Sequence, residues 1–586
     1  MTKLALLRAT IVGAIATLLL STGPQASAAE PSRATSPATM KPVVVVSLAS
    51  YDELHADIDF LGKASDNPDL VNGIDGLIAI VTQLQGLAGL DKTRPLGAAV
   101  RSDGVQFQML AFVPVKNIKQ LFSALSGAIG VPEKTGEHQW RINTRAGSAF
   151  VKEQGGWAFV AQLEDHLNDL PADPGALLAE LPQHYDLAVR VHVQGIPEPL
   201  RDMMLDQLKQ KLATRGGSGA KQSLAHRLLP GDGKQTAEAI GQLDSVTLGW
   251  SLDAAGRRTY FDVSITAVPG SRLAADAAAP QPSKMAGFLL PDATLSLHID
   301  RSLPPEVIKR NLAIVESLKR ALLKEIEDSG VLTNDDDKAK VNAWVDQTAA
   351  ALAATVRSGM TNGGLVSFDG SPLTLAAGFA IEQSDKLDRV FREASELAET
   401  ADRAPQFKLD IDKLGDVRFH RVTMPTDELI ALSGANVDEM ADLFQRTLGN
   451  EAQLTVGFGP GRVFAALGPE GLPTLKKVIE QSAKTSDSDD AALRVRLALG
   501  AVMQWWLKPA SEGAAPGAGA APAQSANPIW AQVADEVAAG GKDHLILTVS
   551  PIAHGLRVRL EGEHGVVKAL GVGLKLMAVG GGPAGF

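Results

Sequence analysis

The chain has 586 residues, 45% of them hydrophobic and 21% charged, which is enough apolar material for a sizeable core and enough length for more than one domain. Its 56 basic and 67 acidic residues leave a net charge of -11, which argues against nucleic-acid binding, because phosphate neutralisation needs a clustered basic face. Cysteine is absent; disulfides, thiolate metal sites, a cysteine nucleophile and a lipidated cysteine are excluded together.

The first residues carry Lys3 and Arg8, an apolar run from Ala9 to Leu20, and the small residues Ala26, Ser27 and Ala28. This is the layout of a cleaved secretory signal over residues 1 to about 28. An uncleaved anchor fits less well, since the run is short for a span. Residues 29 to 40 read as a flexible lead-in. No later run approaches the about 18 to 20 apolar residues of a spanning helix, so the expectation is a soluble protein, periplasmic or extracellular.

The next elements are hairpins and strands. Residues 97 to 115 place Asp103-Gly104 between alternating runs, a strong hairpin signal. Ile118, Leu121, Phe122 and Leu125 then share one helical face. Residues 149 to 167 read as strand, glycine turn and strand. Residues 187 to 204 read as a strand holding His192, followed by a helix with proline in its first turn. A hairpin over 245 to 268 closes the first half, and breaks fall at 214 to 220 and 274 to 283.

The same order returns. Residues 294 to 311 again give strand and proline-initiated helix, with His298 in the place of His192. Val307, Ile308, Leu312, Val315, Leu318, Leu322 and Ile326 extend that helix, and Asn334 precedes a second as a cap. Asp369-Gly370 turns a hairpin over 364 to 382, and Leu387, Val390, Phe391 and Ala394 mark the next helix. The string GFGPGR at 457 to 462 lacks a glycine where Arg462 stands and is followed by strand, so it turns a hairpin and cradles no phosphate. Residues 492 to 506 are a third strand copy ending on Trp505 and Trp506. After a break at 484 to 490 and an Ala/Gly/Pro linker at 511 to 528 come Trp530 and a last hairpin over 544 to 563.

These units predict an α+β fold: tandem-duplicated antiparallel β-hairpins and sheets with long amphipathic helices packed on one side. The halves fall at 41 to 283 and 284 to 580, with a flexible tail at 581 to 586.

Motifs for chemistry are weak. Ser218-Gly-Ala-Lys221, Ser65-Asp-Asn67 and Lys134-Thr-Gly136 match the tripeptides of serine β-lactamases, but in the wrong order and with the nucleophile motif in a glycine-rich break. No Walker A, H-E-x-x-H or G-x-S-x-G pattern occurs, and the acidic run at 334 to 337 lacks a calcium loop. Asp410 and Asp412 alternate on one strand, where a solvent face is the default for carboxylates. Trp505, Trp506 and Trp530, with His192 and His298, are the candidate ligand or partner surface. No catalytic residue, metal or cofactor is expected.

With the R-P-L-G string Arg94 to Gly97 before the first hairpin, the overall pattern resembles large uncharacterised bacterial envelope proteins that carry signal peptides. The resemblance transfers no functional residues. The expectation is a binding or structural protein without catalysis of its own, its partner an envelope protein or polymer. One alternative is a carrier with an apolar cavity lined by Phe107, Met109, Leu375 and Phe379; another is a hydrolase with an unrecognised site.

Overall fold

Four consecutive valines, Val43 to Val46, make Lys41–Leu48 a strand, β1, buried at every second residue and flanked on both sides by strands of the first unit. The computed structural model describes residues 40–65, 67–144, 147–215, 239–277, 285–329, 334–368, 373–398, 405–433, 447–484, 491–507, 528–538 and 542–579. The architecture is α+β and every strand pairing is antiparallel. Two compact units result: one of residues up to Ala275 together with those from Ala553 on, the other Asp276–Ile552.

In the first unit β1 is followed by β2 (Leu96–Ser102), β3 (Phe107–Pro114), β4 (Glu133–Gly136), β5 (Gln139–Thr144), β6 (Gly147–Gln154), β7 (Trp157–Ala161), β8 (Leu187–His192), β9 (Leu243–Asp253) and β10 (Arg258–Ala267). Their spatial order is β4-β5-β6-β7-β3-β2-β1-β8-β9-β10. The chain's last strand, Gly555–Gly562, then pairs with β10 from Thr259 to Thr266. The sequence places that strand in the half 284 to 580; in the structure it pairs with β10 along its whole length.

The second unit contains β11 (Leu295–Ser302), β12 (Met360–Phe368), β13 (Thr374–Ala380), β14 (Gln406–Leu414), β15 (Val417–Pro425), β16 (Glu451–Gly459), β17 (Arg462–Leu467), β18 (Leu493–Ala498) and β19 (His544–Ile552). They pair in the order β14-β15-β16-β17-β13-β12-β11-β18-β19. Counted from its own first strand, each unit therefore runs 4-5-6-7-3-2-1-8-9.

Turn chemistry follows the residues. Gly155 and Gly156, with φ of 60° and 77°, close the β6–β7 hairpin. Gly459 opposes Arg462 across Pro460 and Gly461, whose φ is 67°, so the GFGPGR string is a hairpin turn. Asp103 Oδ1 accepts the Val105 and Gln106 amides at 2.9 and 2.8 Å, holding the β2–β3 loop. Asp369 and Gly370 lie outside the described residues. Asn334 caps the helix Asp335–Arg357 by accepting from Asp336 N at 2.9 Å.

Each sheet has one closed face. In the first unit Val45, Ala99, Leu110, Phe112, Phe159 and Ala188 pack under Leu167, Leu178 and Leu181. In the second, Val366, Ala376, Phe419 and Phe464 pack under Phe288 and the helix Gly471–Lys484. On the opposite faces the helix Ile118–Ile129 covers Trp140, Ile142, Val151 and Ala158, and Phe391 of the helix Ser384–Ala398 stacks near Phe407, His420 and Phe458.

Candidate functional site

The closed faces hold polar side chains that sequence patterning would place in solvent. Ser47, Thr247 and Asp262 are buried in the first unit, and Ser296, His298 and Asp300 in the second. The opposite face is apolar and open over β8, β9, β10 and Gly555–Gly562. Across β8, β9, β10 and Gly555–Gly562 a cross-strand row runs Leu187, Trp250, Phe261, Leu560, and these are 41, 39, 43 and 45% exposed. Directly opposed residues share a face. The next rows are Val189, Leu248, Val263, Val558 and then Val191, Val246, Ile265, Leu556. Scattered apolar residues on a surface are ordinary, whereas contiguous rows mark an interaction surface.

At the ends of these strands, beside the helix Tyr51–Ala64, lie two polar pockets, and the strand residues of the first, Ser251, Asp253 and Tyr260, alternate onto the closed face. The first, about 270 Å³, is walled by Glu53 and Asp57 of the helix Tyr51–Ala64, by Tyr185 and Asp186 before β8, and by Ser251 and Asp253 of β9. Ser50 caps that helix, its side chain accepting from Glu53 N at 3.2 Å, which fixes where its acidic first turn stands. Asp57 and Asp186 are 8 and 5% exposed. Burial first, and then the neighbouring Asp186, push the Asp57 carboxyl up to about 8. Burial also raises Asp186, against the Leu252 amide that donates to its Oδ2 at 2.6 Å. With Asp57 pushed up to about 8 beside a second buried carboxyl, the pair shares one proton near neutrality. Asp57 Oδ2 is buried without a hydrogen-bond partner among the described residues. Burial and Asp186 raise Glu53 as well. Asp253 is held low by the Gly256 amide and by Arg258.

The second pocket, about 490 Å³, has the opposite character. Phe60 and Lys63 come from the end of the same helix, Arg257 from the β9–β10 turn, and His564 and Lys568 from the helix His564–Val579. Arg257 Nη2 donates to His564 Nε2 at 2.6 Å, so that ring nitrogen is the acceptor. Lys63 also pairs with Asp59 at 2.6 Å. Among the described residues no group of three or more His, Asp or Glu is disposed to hold a metal ion, and no described helix is long and apolar enough to cross a membrane.

Neither pocket is lined by His192, His298, Asp410 or Asp412. His192 ends β8, where burial and Arg190 lower its pKa. His298 stands on the closed face of β11 and is buried, because the apolar side of that strand is the open one. Trp505 and Trp506 belong to the helix Leu499–Leu507 and Trp530 to Pro528–Ala538; their side chains lie outside the described ones, as does Ser218–Lys221. Asp410 forms a two-point pair with Arg392 at 2.7 and 2.8 Å, and Asp412 pairs with Lys476. Phe107 and Phe379 are exposed.

Asp57 and Asp186 had no sequence signal as a pair. The spacing of Glu53 and Asp57, one turn apart on a helix face that should have been solvated, was the nearest one. No protein-family model matches the chain, and neither a curated protein nor a solved structure is significantly similar to it.

Proposed function

We propose that this protein binds an apolar, chain-like ligand along the open sheet face, outside the cytoplasm if the signal-like first residues act as read. The observation that carries the reading is the exposed row Leu187, Trp250, Phe261, Leu560 over a closed face that buries Asp262 and Thr247. Burying such a row against an acyl chain gains about 25 cal/mol per Å², while a polymer or protein partner with a polar surface would gain nothing from it. The second unit supports the same reading, with Leu454 and Phe379 exposed on its open face. The common strand order of the two units supports descent from a tandem duplication.

Trp250 supplies the test. A fatty acid brominated along its chain quenches a tryptophan it touches, so titration should quench part of the emission and Trp250→Phe should remove that part. Leu248→Gln, at an exposed position, should weaken binding about tenfold with an unchanged unfolding midpoint. Equal quenching of the parent and Trp250→Phe, with unchanged affinity in Leu248→Gln, overturns the reading.

A second reading, acid-base hydrolysis by the one-proton pair Asp57 and Asp186, is favoured by their raised carboxyls in an open polar pocket. Asp57→Asn in a screen of ester and glycoside substrates tests it; no turnover by the parent chain removes it.

A further inference from the structure

The helix Pro305–Ser329 follows the first strand of the second unit and packs one side on the helix Asp335–Arg357, where Lys319 Nζ lies 2.7 Å from Asp346. Leu312, Val315, Leu323 and Ile326 share that side and are half-buried. Its outer side is apolar as well. Ile314, Leu318 and Leu322 recur one turn apart and are all exposed, Leu318 the most at 63%.

The helix in the corresponding place of the first unit, Tyr51–Ala64 after β1, is covered by another helix: Gly571 of His564–Val579 sits against its Leu61 and Ser65. Among the described residues nothing buries the stripe Ile314, Leu318, Leu322. An exposed apolar stripe on a long helix marks an interaction surface.

Charge decides what can cover it. At 3.6 residues per turn Arg310 flanks the N-terminal end of the stripe, and Glu325 and Asp328 flank its C-terminal end; all three are exposed. The neighbouring Lys319 and Arg320 are already paired, with Asp346 and Glu316, whereas those three form no ion pair among the described residues. A stripe with a cation at one end and anions at the other matches itself turned end for end.

We propose that the helix Pro305–Ser329 is a homodimer surface, on which a second copy of this chain lays the same helix antiparallel about a two-fold axis at Leu318. Arg310 lies about 12 Å before Leu318, and Glu325 and Asp328 about 10.5 and 15 Å after it, at 1.5 Å per residue. Each copy's Arg310 therefore falls between the other's Glu325 and Asp328, and Ile314 falls opposite Leu322. A parallel pair would set Arg310 against Arg310 and Asp328 against Asp328, and a singly charged partner would answer only one end. The dimer is independent of the apolar-ligand reading, which concerns the open sheet face of the first unit.

The chain has no cysteine, so introduced thiols report the geometry in the full-length protein. Helices packed about 8 to 10 Å apart bring residues on the axis within the about 4.4 to 6.8 Å between Cα atoms that a disulfide spans, whereas the two Arg310 positions lie about 24 Å apart. Under mild oxidation Leu318→Cys should form a covalent dimer, Arg310→Cys alone should not, and a mixture of Arg310→Cys with Asp328→Cys should. Sedimentation velocity of the parent should show a monomer–dimer equilibrium with a Kd of about 10 μM. Leu318→Glu should weaken it at least about tenfold with an unchanged unfolding midpoint. Arg310→Asp should weaken it too, and adding Asp328→Arg should restore part of the loss. If Leu318→Glu lowers the midpoint, the charge-reversal pair decides alone. A parent that stays monomeric up to about 100 μM overturns the proposal, as does a dimer that both Leu318→Glu and Arg310→Asp leave intact. Arg310→Cys linking as fast as Leu318→Cys overturns the antiparallel arrangement and the proposal with it.

Discussion

Arg559 donates from Nε and Nη2 to the two carboxylate oxygens of Asp262 at 2.8 and 2.7 Å, joining residues 297 positions apart in the chain. Asp262 is fully buried and also accepts from Tyr185 OH at 2.9 Å, while the guanidinium lies 4.0 Å from the Tyr260 ring centroid. The pair fastens the last strand of the protein to β10. Breaking a buried pair from one side leaves an uncompensated charge, so Arg559→Met should destabilise the first unit by about 3 to 5 kcal/mol. Hydrogen exchange of Gly555–Gly562 should accelerate selectively. Adding Asp262→Asn to Arg559→Met should restore part of the loss; a double variant as unstable as the sum of the singles would contradict this account.

The Asp57–Asp186 pair sets a pH dependence with a definite sign. Asp57 moves from its ordinary 3.8 to about 8 on folding, so across that window the folded state holds a proton the unfolded state has lost. Its contribution is fully present below the unfolded value and is lost as pH rises towards about 8. Asp57→Asn removes the titration and keeps a donor for Asp186, so thermal melts of the variant should be flatter between those limits and higher than the parent at the alkaline end. A parent whose stability is constant across the window would show that Asp57 is ionised in the fold.

Much of this architecture is legible from residues. Asp103-Gly104, Gly155-Gly156 and the GFGPGR string each demand a turn, because positive φ or an Asx hydrogen bond is cheap only there. Alternation likewise gives the strands. What alternation cannot give is which side is covered: Leu295, Leu297 and Ile299 look like core beside Ser296, His298 and Asp300, yet the polar set is the buried one. That choice is made by Phe288, just upstream, together with the helix Gly471–Lys484, which is distant in sequence. The pairing of Asp57 with Asp186 is hidden for the same reason, since it depends on where a helix and the start of β8 meet.

Phe288 itself can be tested. Its ring fills the space above Gly364 and Gly378, so that a Cβ on Gly378 would come within 2.8 Å of Phe288 Cζ and one on Gly364 would overlap the ring. Gly364→Ala should cost about 1 to 3 kcal/mol through overpacking, and Phe288→Leu combined with Gly364→Ala should recover part of it. Chemical denaturation of the three variants reads this directly. An additive double variant would show that the ring does not occupy that space.

The second unit should respond to acid in the opposite sense from the first. His420 is fully buried, and its Nδ1 accepts from Asp410 N at 2.9 Å, so the proton is on Nε2, which faces Asp388 Oδ1 at 3.2 Å. Asp388 in turn accepts from Arg392 Nε at 3.0 Å and Arg418 Nη2 at 2.6 Å. Burial first, then Arg392, lowers the His420 pKa, because a second ring proton would displace the Asp410 amide from its acceptor. Here the unfolded state binds the extra proton, so stability is full above the unfolded value of about 6.5 and falls as pH drops below it. Hydrogen exchange resolved by unit should therefore show β15 loosening between about pH 6.5 and 5 while strands beside Asp57 tighten. His420→Gln, which offers a donor but no titration, should abolish the acid response of β15. Should β15 in that variant still loosen on acidification, the response belongs to another group and His420 has only a packing role.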